Sequence, residues 1–187
     1  MRGLKIHIII IAFVTTVAVA VGGNFFSYQY RVVKPLMTSI TAIPGVTDAS
    51  VQNGTARHRD IVVSLQPKVN RAVSAYLLVE QLARQNLGTA FGEIKVNDNR
   101  DESLETIFYK MHFHLQQAIA TGMFTQMEES INAIARQEAL QDHQVIVEQE
   151  RVIICLSKGE HMLFTVMPRF STNIGQQTVE RRAVSLW

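Results

Sequence analysis

Apolar positions along the chain change their period twice. Residues 6–30 are twenty-five positions without Asp, Glu, Lys or Arg, opening on Ile8-Ile9-Ile10-Ile11 and continuing through Phe13, Val14, Val17, Val19 and Val21. A helix rises about 1.5 Å per residue, so roughly 20 apolar residues cross a hydrocarbon core of about 30 Å. The run predicts one membrane-spanning helix. Arg2 and Lys5 precede it, and a span this close to the N-terminus is expected to leave residues 1–5 in the cytoplasm and the bulk of the chain outside. The run outlasts the core of about 7 to 15 residues typical of a cleaved signal, although Ala18-Val19-Ala20 offers a small-residue cleavage site. A retained anchor in the cell membrane is the expectation, with the lipid bilayer as first partner. Phe25, Phe26, Tyr28 and Tyr30 stand where an interfacial aromatic belt belongs.

Over residues 34–97 the pattern becomes mixed. Pro35 suits a first helical turn, and Leu36, Ile40 and Ile43 make one apolar face before Pro44-Gly45 stops it. Residues 46–51 and 60–65 predict two strands around the turn signal Asn53-Gly54. Val69, Ala72, Val73, Tyr76, Leu77, Leu82 and Ala83 predict a helix ending near Gln85, and residues 93–96 a closing strand. The unit is αββαβ. After the polar break at residues 97–102, Leu104, Ile107, Phe108, Met111, Leu115, Ala118 and Ile119 keep helical spacing up to Gly122. Asp101 or Ser103 is placed to cap this helix. Phe124, Met127, Ile131, Ile134, Ala135 and Ala139 continue it as a second helix. Residues 145–147, 152–156 and 162–167 then predict a three-stranded antiparallel meander whose middle strand is apolar on both faces and needs cover on each. Pro168 ends the last strand, and residues 171–187, Gln- and Thr-rich, are expected to form a poorly ordered tail. The fold class is α+β: a single N-terminal transmembrane helix (6–30), the αββαβ module (34–97), and a helical hairpin packed with a meander (101–170).

The run Leu36-x-x-x-Ile40-x-x-Ile43-Pro44-Gly45-Val46-x-x-Ala49-x-Val51, with the αββαβ order, resembles the ring-building-motif modules of membrane-anchored proteins that stack into rings in secretion systems and the sporulation channel. The resemblance implies self-association or docking with other subunits of a membrane complex. Its physical content is a small helix on a hairpin, with Val46, Ala49 and Val51 turned toward the helices. Heavy-metal-associated domains carry a similar turn, but their Cys-x-x-Cys pair is missing here.

Charge and chemistry narrow the function further. There are 18 basic and 16 acidic residues; once Arg2 and Lys5 are set apart, the tethered part is neutral, which argues against nucleic acid as a partner. Cys155 stands alone, so no internal disulfide or cysteine zinc cluster is expected. His112 and His114 are two apart on a predicted helix and diverge by about 200°, while His7, His58, His143 and His161 are scattered. Asn97, Asn99 and Asp101 alternate as in a calcium loop, but Glu102 and Phe108 occupy the places of its Gly and terminal Glu. Glu128 and Glu129 diverge on a helix, Glu148 and Glu150 suit a solvated hairpin, and neither G-x-S-x-G, S-x-x-K nor a P-loop occurs. No catalytic, cofactor or metal site is expected. The interaction candidates are sheet-edge residues, Ile94 and Val96 in one unit and Met162, Phe164 and Val166 in the other, because an unpaired edge is a template for another chain. The alternative is a sensor or ligand-binding module with an apolar pocket lined by Met111, Phe113, Met123, Phe124, Met127 and Phe164.

Overall fold

The computed structural model describes residues 11, 13–17, 29–54 and 58–169. The expected membrane span therefore lies largely outside the described residues, as do the hairpin tip at 55–57 and the expected tail. Ile11 and residues 13–17 are helical, with Ile11, Phe13, Val14 and Val17 exposed. Among the described residues no helix is long and apolar enough to cross a membrane.

The fold is α+β, with two separate three-stranded sheets. The chain divides into two compact units, one formed by residues up to Gln66 with Arg71–Asn97, the other by Pro67–Asn70 with residues from Asp98 onward. In the first, a π-helical turn (Gln29–Val33) leads into α1 (Lys34–Thr41), β1 (Val46–Asn53), β2 (Arg59–Leu65), α2 (Val69–Leu87), a 3-10 turn (Gly88–Ala90) and β3 (Phe91–Asn97). This is the αββαβ order that the hydrophobic periods predict. Pro35 occupies the first turn of α1, whose Leu36 and Ile40 are buried. Gly45 makes the reversal into β1 at a φ of 106°, where a side chain would be strained and its Cβ would lie 3.1 Å from Arg71 O. The strand order is β1-β2-β3, antiparallel then parallel. On one sheet face Ile61, Val63 and Leu65 are buried, with Val46 buried and Ala49 and Val51 half-covered beside them in register.

In the second unit α3 (Glu102–Thr121) and α4 (Phe124–Gln137) form a helical hairpin, followed by β4 (Asp142–Val147), β5 (Arg151–Lys158) and β6 (His161–Pro168). Asp101 caps α3, its Oδ1 accepting from Leu104 N at 2.8 Å, and Gly122 ends it in the left-handed conformation. The antiparallel meander has the order β4-β5-β6. Leu104, Ile107, Met111, Leu115 and Ala118 of α3 meet Met127, Ile131 and Ala135 of α4 over Val152, Ile154, Leu156 and Leu163. The opposite face of β5 and β6, with Ile153, Cys155, Met162 and Phe164, is buried as well. Both faces of β5 are thus covered, as its unbroken apolar run demands.

The strands are longer than their apolar cores suggested. β4 begins three residues before Val145, at Asp142, and this extension creates one wall of the groove described below.

Candidate functional site

Sheet edges are where this fold leaves backbone groups to be satisfied, and the two edges of the meander differ. The two-residue turn Gly159-Glu160 pairs Lys158 with His161, so alternate residues of β6 turn their N–H groups outward. Two of these are already occupied. Met162 N donates to Asn99 Oδ1 at 2.9 Å and Phe164 N to Asp98 Oδ2 at 2.8 Å, while Asn99 Nδ2 donates to Glu160 O at 2.7 Å. His161 Nδ1 lies 2.8 Å from Asn99 O. Arg100 also holds the Asp98 carboxylate by both oxygens, Nε to Oδ1 at 2.9 Å and Nη2 to Oδ2 at 2.7 Å. Pro168 has no N–H to offer. Met162 and Phe164 are themselves buried and Val166 is half-buried, so the edge expected to be open is closed over its first half. The sequence showed Asp98-Asn99 as part of a polar break, without any sign that it caps a strand 60-odd residues away.

The opposite edge is β4. Glu148 N donates to Arg151 O at 2.9 Å, which sets the alternation: Val145 and Val147 turn their N–H and C=O groups away from β5. No described residue pairs with those outward groups. At the start of the strand His143 N donates to Asp142 Oδ1 at 2.9 Å. Beside this edge runs a groove of about 420 Å³, lined by Phe124, Thr125, Met127, Glu128, Ile131 and Asn132 of α4 and by His143, Gln144, Val145 and Val147 of β4. Met127 and Ile131 are buried at its base, and Glu128 and Thr125 are exposed on its rim. One end is pinned by His143 Nε2 and Asn132 Oδ1 at 2.8 Å. At the other end the Arg169 guanidinium lies 4.7 Å over the Phe124 ring, and its Nη1 donates to Glu148 O at 2.8 Å. Helix and strand run antiparallel along the groove, and both ends are fixed by polar contacts.

Of the six residues expected to line an apolar pocket, the structure brings only Phe124 and Met127 into this groove. Met111 belongs to the core, Phe113 and Met123 are exposed, and Phe164 lies on the far face of the sheet from that core. Phe113 stacks edge-on with Tyr109 at 5.2 Å, leaving an exposed aromatic pair on α3. In the first unit Ile94 and Val96 do lie on an edge strand, β3, with side chains half-buried in register with Ile61 and Val63.

The first unit also holds two buried carboxylates, Glu80, paired with Arg84 one turn on, and Asp60. Asp60 Oδ2 accepts from Lys95 Nζ at 2.9 Å, and Oδ1 accepts from Glu93 N at 3.3 Å where the β2-β3 register slips. The Lys95 ammonium and the Glu93 N–H hold the Asp60 carboxyl below its usual range, burial opposing them. Gly92 and Gly54 make room for it: a Cβ on Gly54 would sit 2.5 Å from Asp60 Oδ1, and one on Gly92 would collide with the same oxygen. No sequence pattern marks this lock, because its parts are separated by up to 41 positions and none is unusual alone. Cys155 is fully buried, and burial pushes its thiol up to about 12. Among the described residues no group of three or more His, Cys, Asp or Glu side chains could hold a metal ion.

Compared with known proteins, the chain matches no family model, no curated protein and no solved structure.

Proposed function

We propose that this chain is a membrane-anchored interaction protein, a subunit of a membrane-associated assembly, that binds a partner polypeptide by accepting it as an added strand along β4. The single observation that carries the proposal is the pairing of an open strand edge, at Val145 and Val147, with a groove built from α4. Strand addition takes its affinity from main-chain hydrogen bonds and its selectivity from the pockets beside them, and this groove offers both. The anchor rests on the uncharged run at 6–30 and on the exposed helical Ile11, Phe13, Val14 and Val17. Under this reading the bulk of the chain lies outside the cytoplasm. The αββαβ order of the first unit supports an assembly module of the ring-building kind. Its outer strand β3, with Ile94 and Val96, is a second contact surface in that proposal.

The test is self-association of the full chain in detergent, followed by light scattering over a wide concentration range. The wild type is expected to form a defined oligomer and the Val147→Pro chain to lose it while keeping its circular dichroism. The Val147 N–H faces outward, so proline there removes a docking donor without removing a bond of the sheet. An oligomer unchanged in the variant would overturn the role of this edge. The cavity also suits a small ligand, since pockets for such molecules span about 300–1,000 Å³. In that second reading the wild type would stay monomeric at every concentration, which separates the two.

A further inference from the structure

Resting on the strand-accepting reading of the groove, we infer that the segment it takes is apolar and cationic: an extended peptide with a lysine or arginine beside Glu128. The groove follows β4 from His143 to Val147, which an added strand spans in about five residues at roughly 3.3 Å each. Side chains of such a strand alternate, so those turned to the helix cross a base of Met127, Ile131 and Val145 and then the rim. Apolar side chains suit that base. The rim carries one charge, Glu128, midway between the two pinned ends, and Glu128 makes no ion pair among the described residues. Two cations beside the groove make other contacts: Arg169 lies over Phe124 and donates to Glu148 O, and Arg136 Nε donates to Asn132 O at 3.1 Å. They stand toward opposite ends of the groove. A cationic side chain of the incoming strand placed beside Glu128 meets a carboxylate that has no ion-pair partner there, which sets the sign of the preferred residue.

The experiment uses the full chain in nanodiscs and two fluorescent probes of about seven residues, alternating valine and threonine, with lysine or glutamate at the centre. The lysine probe is expected to bind at least about 5-fold more tightly at low salt, with the difference shrinking at about 0.5 M salt, and Glu128→Lys is expected to invert the preference. Equal binding of both probes, abolished by Val147→Pro, would overturn the cationic inference and leave the strand-accepting groove standing. A lysine preference that survives Glu128→Lys would overturn the assignment to Glu128. Binding of neither probe at any salt would overturn the groove reading itself.

Discussion

Asp60 shows how much of this fold depends on a single side chain that no local pattern singles out. Its carboxylate ties β2 to β3 through Lys95 and the Glu93 N–H, in a space that exists only because positions 54 and 92 are glycine. Its proton affinity is lowered in the folded state, so folding favours the ionised form. The stabilisation is then complete above the unfolded value near pH 4 and is lost as pH falls through the depressed folded value. Asp60→Asn should be less stable than wild type at pH 7, and the gap should narrow in urea melts as pH drops below about 4. A gap independent of pH would mean that shape, not charge, makes the site. Gly92→Ala should cost about 1–3 kcal/mol in the same melts, since the added methyl must displace the carboxylate. Cys155 offers a complementary reading of β5. Fully buried and with its thiol raised to about 12, it should alkylate only on unfolding. The labelling rate at neutral pH should therefore track the global stability measured by denaturant, and fast labelling of native protein would reveal local opening of the central strand.

At the scale of elements, the two ends of the meander illustrate positive and negative control of strand pairing. Asp98 and Asn99 act on β6 as a short surrogate strand, supplying acceptors to Met162 N and Phe164 N. Removing both carbonyl-bearing side chains, in Asp98→Ala with Asn99→Ala, should reopen that edge. The expected outcome is a concentration-dependent rise in molar mass by light scattering, with thioflavin-positive aggregates at high concentration. A monodisperse, unchanged species would show that Pro168 and the buried side chains suffice to protect it. Element type was legible for the α-helices and strands from residue 34 to 168, though not for the turns at Gln29–Val33 and Gly88–Ala90, because the periods of 3.6 and 2 are enforced by burial: Leu104 to Ala118 on α3 and Val152 to Leu156 on β5 fall where their spacing requires. The candidate groove was legible only in part. A three-stranded meander necessarily has two edges, so β4 was available as a candidate alongside β6. Its polar opening, Asp142-His143-Gln144, concealed the strand's length, and the side chains that close β6 come from a break read as a linker. Such contacts join residues about 60 positions apart and leave no periodic trace.

For the molecule as a whole, the proposed anchor changes the meaning of any affinity the groove possesses. Two chains held on one bilayer meet at a local concentration far above that in bulk, so a contact too weak to detect in solution can still build an assembly. An open strand edge of two outward residues is suited to that regime. Main-chain pairing over so short a length contributes little by itself, since a typical hydrogen bond nets only about 0.5–1.5 kcal/mol. Up to four such bonds, from the outward N–H and C=O groups of Val145 and Val147, and the apolar base of the groove suit a contact that tethering then amplifies. The expected outcome is a sharp dependence on attachment. The full chain in liposomes should crosslink between copies at bulk concentrations at least about 100-fold below those needed by a chain lacking residues 1–28, and Val147→Pro should abolish the liposome signal. Thr165→Pro is the contrasting change. The Thr165 N–H faces Ile154 within the sheet, so proline there removes a bond of the ladder and should lower stability before any effect on assembly can be read. Equal crosslinking with and without residues 1–28 would remove the bilayer from the mechanism. Crosslinking that persists in a folded Val147→Pro chain would move the contact away from β4.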